Sequence, residues 1–395
     1  MPSNEQAVDV AVVGGGIIGL AVAWRARQRG LTVTVLERSA IGAECASGVA
    51  AGMLAPISEV EFGEAGQRVL ELGLRSAEMW PSFAAELSHE TDLEVGLRQS
   101  GTLVVARDED EARELERQLA LRESLGLPCR RLRPSAAREL EPALAPTVRL
   151  ALEAPEDHSV DPRPVLAALR RACEGSGVQI RERTPVARVE VEGIDAGGLG
   201  AQGATTVANR GGAIAAPDGS QGAVTGVALT TGERVCAGRV VLAAGAWSGE
   251  IAGLPAHARV PVRPVKGQIL RLRDPAGSGL LERVVRFEGG YLVPRGDGRY
   301  VLGATVEERG FEERPTVGGV YELLRDAHEL VPGVLELQIE ELSVGFRPST
   351  PDNTPVIGPC SVEGLVWATG HHRNGILLAP LTAELVAEAL VGVPA

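Results

Sequence analysis

Apolar and polar residues alternate in two rhythms along this chain, one helical and one extended. Residues 8–13 are an apolar run broken only by Asp9, and they lead into three glycines at 14–16. A second apolar stretch from Ile17 stops at Gly30, and a third short one ends on Glu37. The pattern predicts strand, glycine turn, helix, glycine stop and strand. Val69, Leu70, Met79, Trp80, Phe83 and Leu87 recur at helical spacing through 66–90, across Pro81. A strand is expected at 100–106. Asp108 is placed to cap a charged helix burying Ala112, Leu115 and Leu119. Ser135 opens a short helix ending before Pro142. Residues 158–174 read as a helix opened by Asp161-Pro162 and stopped by Gly175 and Gly177.

Further along the chain the period shortens. Strands are expected between 178 and 192 and at 239–244, the latter running into Gly245-Ala246-Trp247-Ser248. From 261 to 306 apolar residues alternate with polar ones, as in short antiparallel strands. A helix over 317–331 and strands at 338–346 and 365–369 follow, then Gly370, a polar loop and a helix over 376–391. Residues 194–222 are dense in glycine and alanine and read as an insertion into a hairpin. Strand–glycine–helix units thus lie at both ends and in the middle, with sheet-rich stretches between. This predicts an α/β fold: a Rossmann-type domain from 1–90, 155–255 and 340–395, and an antiparallel-sheet α+β domain from 91–154 and 256–339.

Composition narrows the partners. The net charge is −13 with no basic stripe, which argues against nucleic acid. No apolar run reaches the length of a membrane span, and the first residues lack the order of a signal peptide. Five scattered cysteines form no C-x-x-C pair and the six histidines no ligand spacing, so no metal is expected and a cytoplasmic, reduced setting is.

Gly14, Gly16 and Gly19 fill the three glycine positions of the G-x-G-x-x-G pattern. The first allows the tight turn, the second lets a pyrophosphate approach the backbone, and the third lets helix and strand pack closely. Ile17 and Ile18 open the helix whose N-terminus faces that anion. Glu37, 18 residues after Gly19, is placed for a ribose. The motif leaves NAD(P) and FAD both open. The loop after it, with Ala46, Ser47, Gly48, Ala51, Gly52 and Met53, is small enough for a flat ligand to approach. A second strand–turn–helix element lies at T369-G-H-H-R-N-G-I-L-L-A-P380. Arg373 sits on that turn and Arg347 at the end of the preceding strand. Together they suit a carboxylate clamp, with Tyr291 as a phenol donor.

These motifs give the chain a resemblance to the superfamily of FAD-dependent D-amino-acid and sarcosine oxidases, and within it to the glycine oxidases of thiamine biosynthesis. The residues that carry it are the fingerprint 14–19, G48-V-A-A-G-M-L-A-P56, V265-K-G-Q268, G303-A-T305, G345-F-R-P-S-T-P-D352 and, most specific, G370-H-H-R-N-G-I-L-L-A-P380. The resemblance implies that Arg347 binds the substrate carboxylate, that Arg373 is a second substrate arginine and that Tyr291 stands at the mouth. It places Gly370, His371, His372, Arg373, Asn374, Gly375, Ile376 and Leu377 along the flavin. Glu37 and Arg38 would meet the adenosine half and Val186 the adenine side. Ala46, Ser47 and Ala51 to Met53 would flank the ring. Val306 stands where some members carry a larger methionine. No cysteine adjoins Arg347, where sarcosine oxidases tether their flavin, so FAD is expected to be non-covalent.

The implied reaction is oxidation of glycine, or of sarcosine or a small D-amino acid, by FAD and oxygen. It yields the imine or glyoxylate, ammonia and hydrogen peroxide, with the imine handed to thiazole synthase. The resemblance also implies a homotetramer. Three alternatives stay open: a D-amino-acid or sarcosine dehydrogenase using a non-oxygen acceptor, an NAD(P) enzyme in which Arg38 takes a 2′-phosphate, and a non-enzymatic flavin sensor.

Overall fold

A computed structural model of the chain describes residues 7–43, 45–193, 222–277 and 279–392. The opening apolar run becomes the strand Val8–Val13, parallel to Arg234–Leu242 on one side and Val33–Leu36 on the other. Leu365–Thr369 and Gln179–Arg181 extend this parallel core, and Val356–Pro359 adds an antiparallel edge. Successive side chains of the central strand point to opposite faces. Val10 and Val12 pack with the helices Ile17–Gln28, Pro162–Ser176 and Ala379–Gly392. Ala11 and Val13 pack with Val189 and Val227 of the antiparallel strands Val186–Val191 and Val224–Leu229. Because both faces are covered, the central strands Val8–Val13, Val33–Leu36 and Leu365–Thr369 are mostly apolar.

The helix Ile17–Gln28 lies between the sheet and the other helices, and Ile17 through Trp24 are all buried. The long helix Gly63–Thr91 crosses it, with Pro81 inside. Trp24 and Trp80 each meet Phe83 edge to face, at 5.5 and 5.4 Å. Burying a ring such as Phe83 contributes about 1.5–3 kcal/mol. The Trp80 indole also donates to the Leu377 carbonyl at 2.9 Å, tying this helix to the turn beyond Gly370.

The second sheet has the order Gln338–Ser349, Arg263–Arg273, Arg299–Gly303, Gly290–Pro294, Val284–Phe287, Thr102–Ala106, Leu150–Ala154, Arg130–Leu132. It is antiparallel except where Val284–Phe287 runs parallel to Thr102–Ala106. The helix Val317–Leu330 covers one face with Leu323, Ala327 and Leu330. Asp108 caps its helix by accepting from the Asp110 and Glu111 amides, both at 2.9 Å. Asp161 accepts from Arg163 at 3.3 Å, and Gly177 closes that helix at φ 88°.

Three expectations need correction. The boundary at 340 falls inside Gln338–Ser349, which pairs with Arg263–Arg273 from Ser349↔Arg263 to Gln338↔Arg273. That strand belongs to the second sheet, and the chain rejoins the first only at Val356. It also runs past Phe346, because Pro348 sits on an edge strand, where a missing N–H is tolerated. The last helix begins at Ala379, not Ile376. The residues before it form a turn closed by Leu378 N–H to the Asn374 carbonyl at 2.8 Å. The glycine- and alanine-rich insertion lies outside the described residues, apart from Gly222. No helix among the described residues is long and apolar enough to cross a membrane.

Candidate active site

The carboxyl ends of Val8–Val13, Val33–Leu36, Arg234–Leu242 and Leu365–Thr369 open into one cavity of about 420 Å³. Ligands of parallel α/β sheets lie at such ends. The fingerprint glycines form its floor for steric reasons. Gly14 has φ 109°, and a Cβ there would fall on the Ala243 carbonyl oxygen. A Cβ on Gly19 would strike the Gly14 carbonyl, so Gly19 packs beneath the cavity and does not line it. Gly16, Ile17 and Ile18 line it directly.

Side chains near the fingerprint are already engaged. One Glu37 oxygen accepts from the Gly15 amide at 2.6 Å, the other from the Ser39 amide at 2.9 Å and hydroxyl at 3.0 Å. Glu37 thus fixes the turn while still facing the cavity. Ser47 accepts from the Ile17 amide at 3.1 Å, so it caps the fingerprint helix while still lining the cavity. The Arg38 guanidinium lies 3.6 Å over the Trp247 ring. Val186, Ala46, Ala51, Gly52 and Met53 also line the cavity. Basic residues of the second sheet and its turns hold this small-residue loop: Arg271 donates to the Gly48 carbonyl at 2.9 Å and Arg295, just after Gly290–Pro294, to that of Ala51 at 2.7 Å.

The second wall is the turn after Leu365–Thr369. His371, His372, Arg373, Gly375 and Ile376 reach the cavity; Gly370, Asn374 and Leu377 do not. Gly370, at φ 76°, turns the chain against Thr350, and Leu377 is packed beneath. His371 Nε2 meets the Thr382 hydroxyl at 3.0 Å, and burial pushes its pKa down to about 3. His372 Nδ1 meets the Ser349 hydroxyl at 2.6 Å. Burial, reinforced by the Arg347 and Arg373 charges, lowers it also to about 3. Both imidazoles are neutral at physiological pH.

The two arginines and Tyr291 come together at the far end of the cavity. Arg347 projects from within Gln338–Ser349 and not from its end. Its guanidinium donates to the Thr305 carbonyl at 3.0 Å and the Lys266 carbonyl at 3.3 Å, beside the bare face of Gly267. Arg373 donates to Glu59 at 2.7 Å. Burial alone would raise the Glu59 carboxyl, but Arg373 and Arg286 override it and hold the group below its usual range. Burial pushes the Tyr291 phenol up, against the opposing Arg347 charge.

Among the residues that escaped the sequence reading are Glu59 and Trp247, which line the cavity, and Arg286, which pairs with Glu59. Glu59 follows the small-residue loop and reads as a surface acid; Arg286 sits in an ordinary strand; Trp247 was seen only as part of a glycine turn. The Glu59 segment is pinned from the second sheet's side. Asp157 accepts from the Ile57 and Ser58 amides at 3.0 and 2.6 Å, and Arg122 donates to their carbonyls at 2.9 and 2.8 Å.

A family model described as FAD dependent oxidoreductase, DAO, matches residues 9–389. Glycine oxidase of Geobacillus kaustophilus is 33% identical over 383 residues, 96% of this chain and 92% of that protein. The bifunctional protein ThiO/ThiG of Trichormus variabilis is 36% identical over 97% of this chain but 52% of its own length. The chain spans about half the length of such bifunctional relatives. The crystal structure of the Geobacillus kaustophilus glycine oxidase superposes with a TM-score of 0.83 at 32% identity, covering 98% of this chain and 96% of that one. Gly16, which lines the cavity bare of any side chain, and the tight Gly14 turn leave room for the pyrophosphate of FAD, and the cavity walls leave room for a flat ring. On the matched span and the geometry together, the chain belongs to the DAO family of FAD-dependent oxidoreductases.

Proposed function

We propose that this enzyme oxidises glycine, with sarcosine and small D-amino acids as further substrates, to the imine, with oxygen as acceptor. The observation that carries the reading is the state of Arg347. Its guanidinium is braced by two backbone carbonyls, and among the described residues no carboxylate pairs with it. It is therefore a preformed receptor for the carboxylate of an incoming amino acid. Tyr291 stands beside it as a second donor. Similar relatives named glycine oxidase support this substrate class.

Gly14, Gly16 and the amide end of Ile17–Gln28 would hold the FAD pyrophosphate, and His371, His372, Gly375 and Ile376 would wall the ring. Bound FAD supplies two-electron oxidation of the C–N bond, closed by reoxidation with oxygen to hydrogen peroxide. The chain's own residues bind and orient. Arg347 fixes the carboxylate, and the His371 and His372 imidazoles stay neutral beside it. No side chain of the cavity is needed as a base if the amine enters uncharged, so positioning carries the catalysis. The bifunctional ThiO/ThiG relatives support hand-over of the imine to thiazole synthase in thiamine biosynthesis. A cytoplasmic homotetramer belongs to the same reading, and light scattering tests the tetramer.

The test is peroxide release and oxygen uptake by purified protein over glycine, sarcosine and D-alanine, for wild type and Arg347→Ala. Removing the charged hydrogen bond costs on the order of 1.5–3 kcal/mol. The expected result is glycine-dependent peroxide with KM raised tenfold or more in the variant. Turnover only with a quinone acceptor, or an unchanged KM, overturns the proposal.

A further inference from the structure

A second cavity of about 410 Å³ adjoins the first and shares Glu59, Tyr291, Ala304, Arg347 and Arg373 with it. Arg286 also lines it. Exposed Val306, with 68% of its surface open, stands at its rim, so no large side chain closes it there. The junction therefore holds three guanidinium groups around one carboxylate. Glu59 pairs with Arg373 at 2.7 Å and with Arg286 at 3.2 Å, and only 12% of its side chain is exposed. Arg286 is further tied to the Ser58 carbonyl. Of the three cations, Arg347 alone is left without an acidic partner among the described residues.

We infer that Glu59 is a selectivity-determining positioning residue: by holding Arg373 and Arg286 it leaves one carboxylate receptor, restricting the enzyme to monocarboxylate amino acids. The inference rests on the proposed role of Arg347. Room alone does not exclude a longer substrate, because the outer cavity is open and joined to the inner one. Charge does. A second carboxylate entering the outer cavity meets Glu59 between the arginines it needs, and Glu61, Glu114 and Glu288 on the surrounding wall. Discrimination built on such an opposing charge is strongest where the competing group must leave water. Removing the Glu59 charge frees a second guanidinium beside the first, which is the receptor a dicarboxylate requires.

The test uses holoenzyme and non-oxidisable ligands, read by the change in flavin absorbance on binding acetate, malonate and succinate. In Glu59→Gln the dissociation constant of the better dicarboxylate, relative to acetate, is expected to fall at least tenfold. Adding Arg373→Met to that variant returns the ratio to the wild-type value. Should Glu59→Gln fail to fold, Glu59→Asp lengthens the ion pair and shifts the ratio the same way by a smaller factor. Wild-type binding of acetate with an unchanged ratio in the variants overturns the inference while leaving the proposed function standing. A shifted ratio that survives loss of Arg373 overturns the route through that arginine. Failure of acetate to bind wild-type holoenzyme overturns the Arg347 reading and this inference with it.

Discussion

Gly267→Ala adds one methyl group and is expected to damage substrate binding without damaging the fold. Gly267 lies in Arg263–Arg273 opposite Gly345, and its backbone is outside the left-handed region, so alanine fits the strand. Its Cβ would stand 2.7 Å from both terminal nitrogens of Arg347 and 2.9 Å from the guanidinium carbon. The overlap is with the far end of a flexible side chain, which moves more cheaply than backbone. The guanidinium must then leave the Thr305 and Lys266 carbonyls that aim it. A misplaced charged hydrogen bond costs about 1.5–3 kcal/mol, and each 1.4 kcal/mol is tenfold, so KM for glycine should rise roughly 10- to 150-fold. Loss of binding shared by ground and transition states leaves kcat nearly unchanged. Steady-state peroxide assays measure both constants, with flavin content and melting temperature as controls. A KM within twofold of wild type, in folded and fully flavinated protein, refutes the assignment of Arg347 as the carboxylate receptor.

Gly14→Ala places a side chain on the Ala243 carbonyl at a backbone angle alanine rarely adopts, φ 109°. The protein is expected to purify without yellow colour; retention of FAD at wild-type stoichiometry would contradict the cradle. His371 titrates near 3 in the fold because burial disfavours its charged form, against an ordinary 6.5. As pH falls below 6.5 the unfolded chain takes up a proton that the fold refuses, so stability declines from there toward pH 3. Between pH 6.5 and 5 wild type should lose about 1.5 kcal/mol more than His371→Gln in urea denaturation with saturating FAD. Asp157, pushed up to about 6 by burial, acts with the opposite sign in both proteins and cancels in the difference. Parallel stability curves would show that His371 is not neutralised by burial.

What the sequence made legible was local. The fingerprint is legible because its glycine spacing is short, although the contacts it serves are not all near in sequence: a Cβ on Gly19 would meet the Gly14 carbonyl, and one on Gly14 the distant Ala243 carbonyl. The caps at Asp108 and Asp161 are likewise local hydrogen bonds. Arg347, Arg373 and Tyr291 were brought together only by the strand–turn pattern and the resemblance, and the structure sets them on one cavity. The strand boundary at 340 was not legible because alternation looks the same in either sheet. Only the partner strand 263–273, some 75 residues earlier in the chain, decides which sheet receives it. Ser47 and Arg38 were placed near the site but not in their contacts, which depend on Ile17 and Trp247.

Glu59 shows why the charge balance of a site is the least legible part. Its partner Arg373 is 314 residues away, and its other partner Arg286 belongs to the second sheet. Nothing in the run I57-S58-E59-V60-E61 separates it from Glu61, two residues on. The difference is made by Asp157 and Arg122, which pin the segment from its amide and carbonyl sides and so aim one of two equivalent acids inward. Each of those buried bonds, if left unmade, costs about 1–3 kcal/mol, which is enough to hold one loop conformation. Both sheets therefore meet in this charge balance: the first carries Arg373 on its last turn, the second supplies Arg347 and Arg286, and the pinned loop sets the acid between them. Reading selectivity from such a chain requires knowing which arginines are already paired, and pairing is a property of the fold.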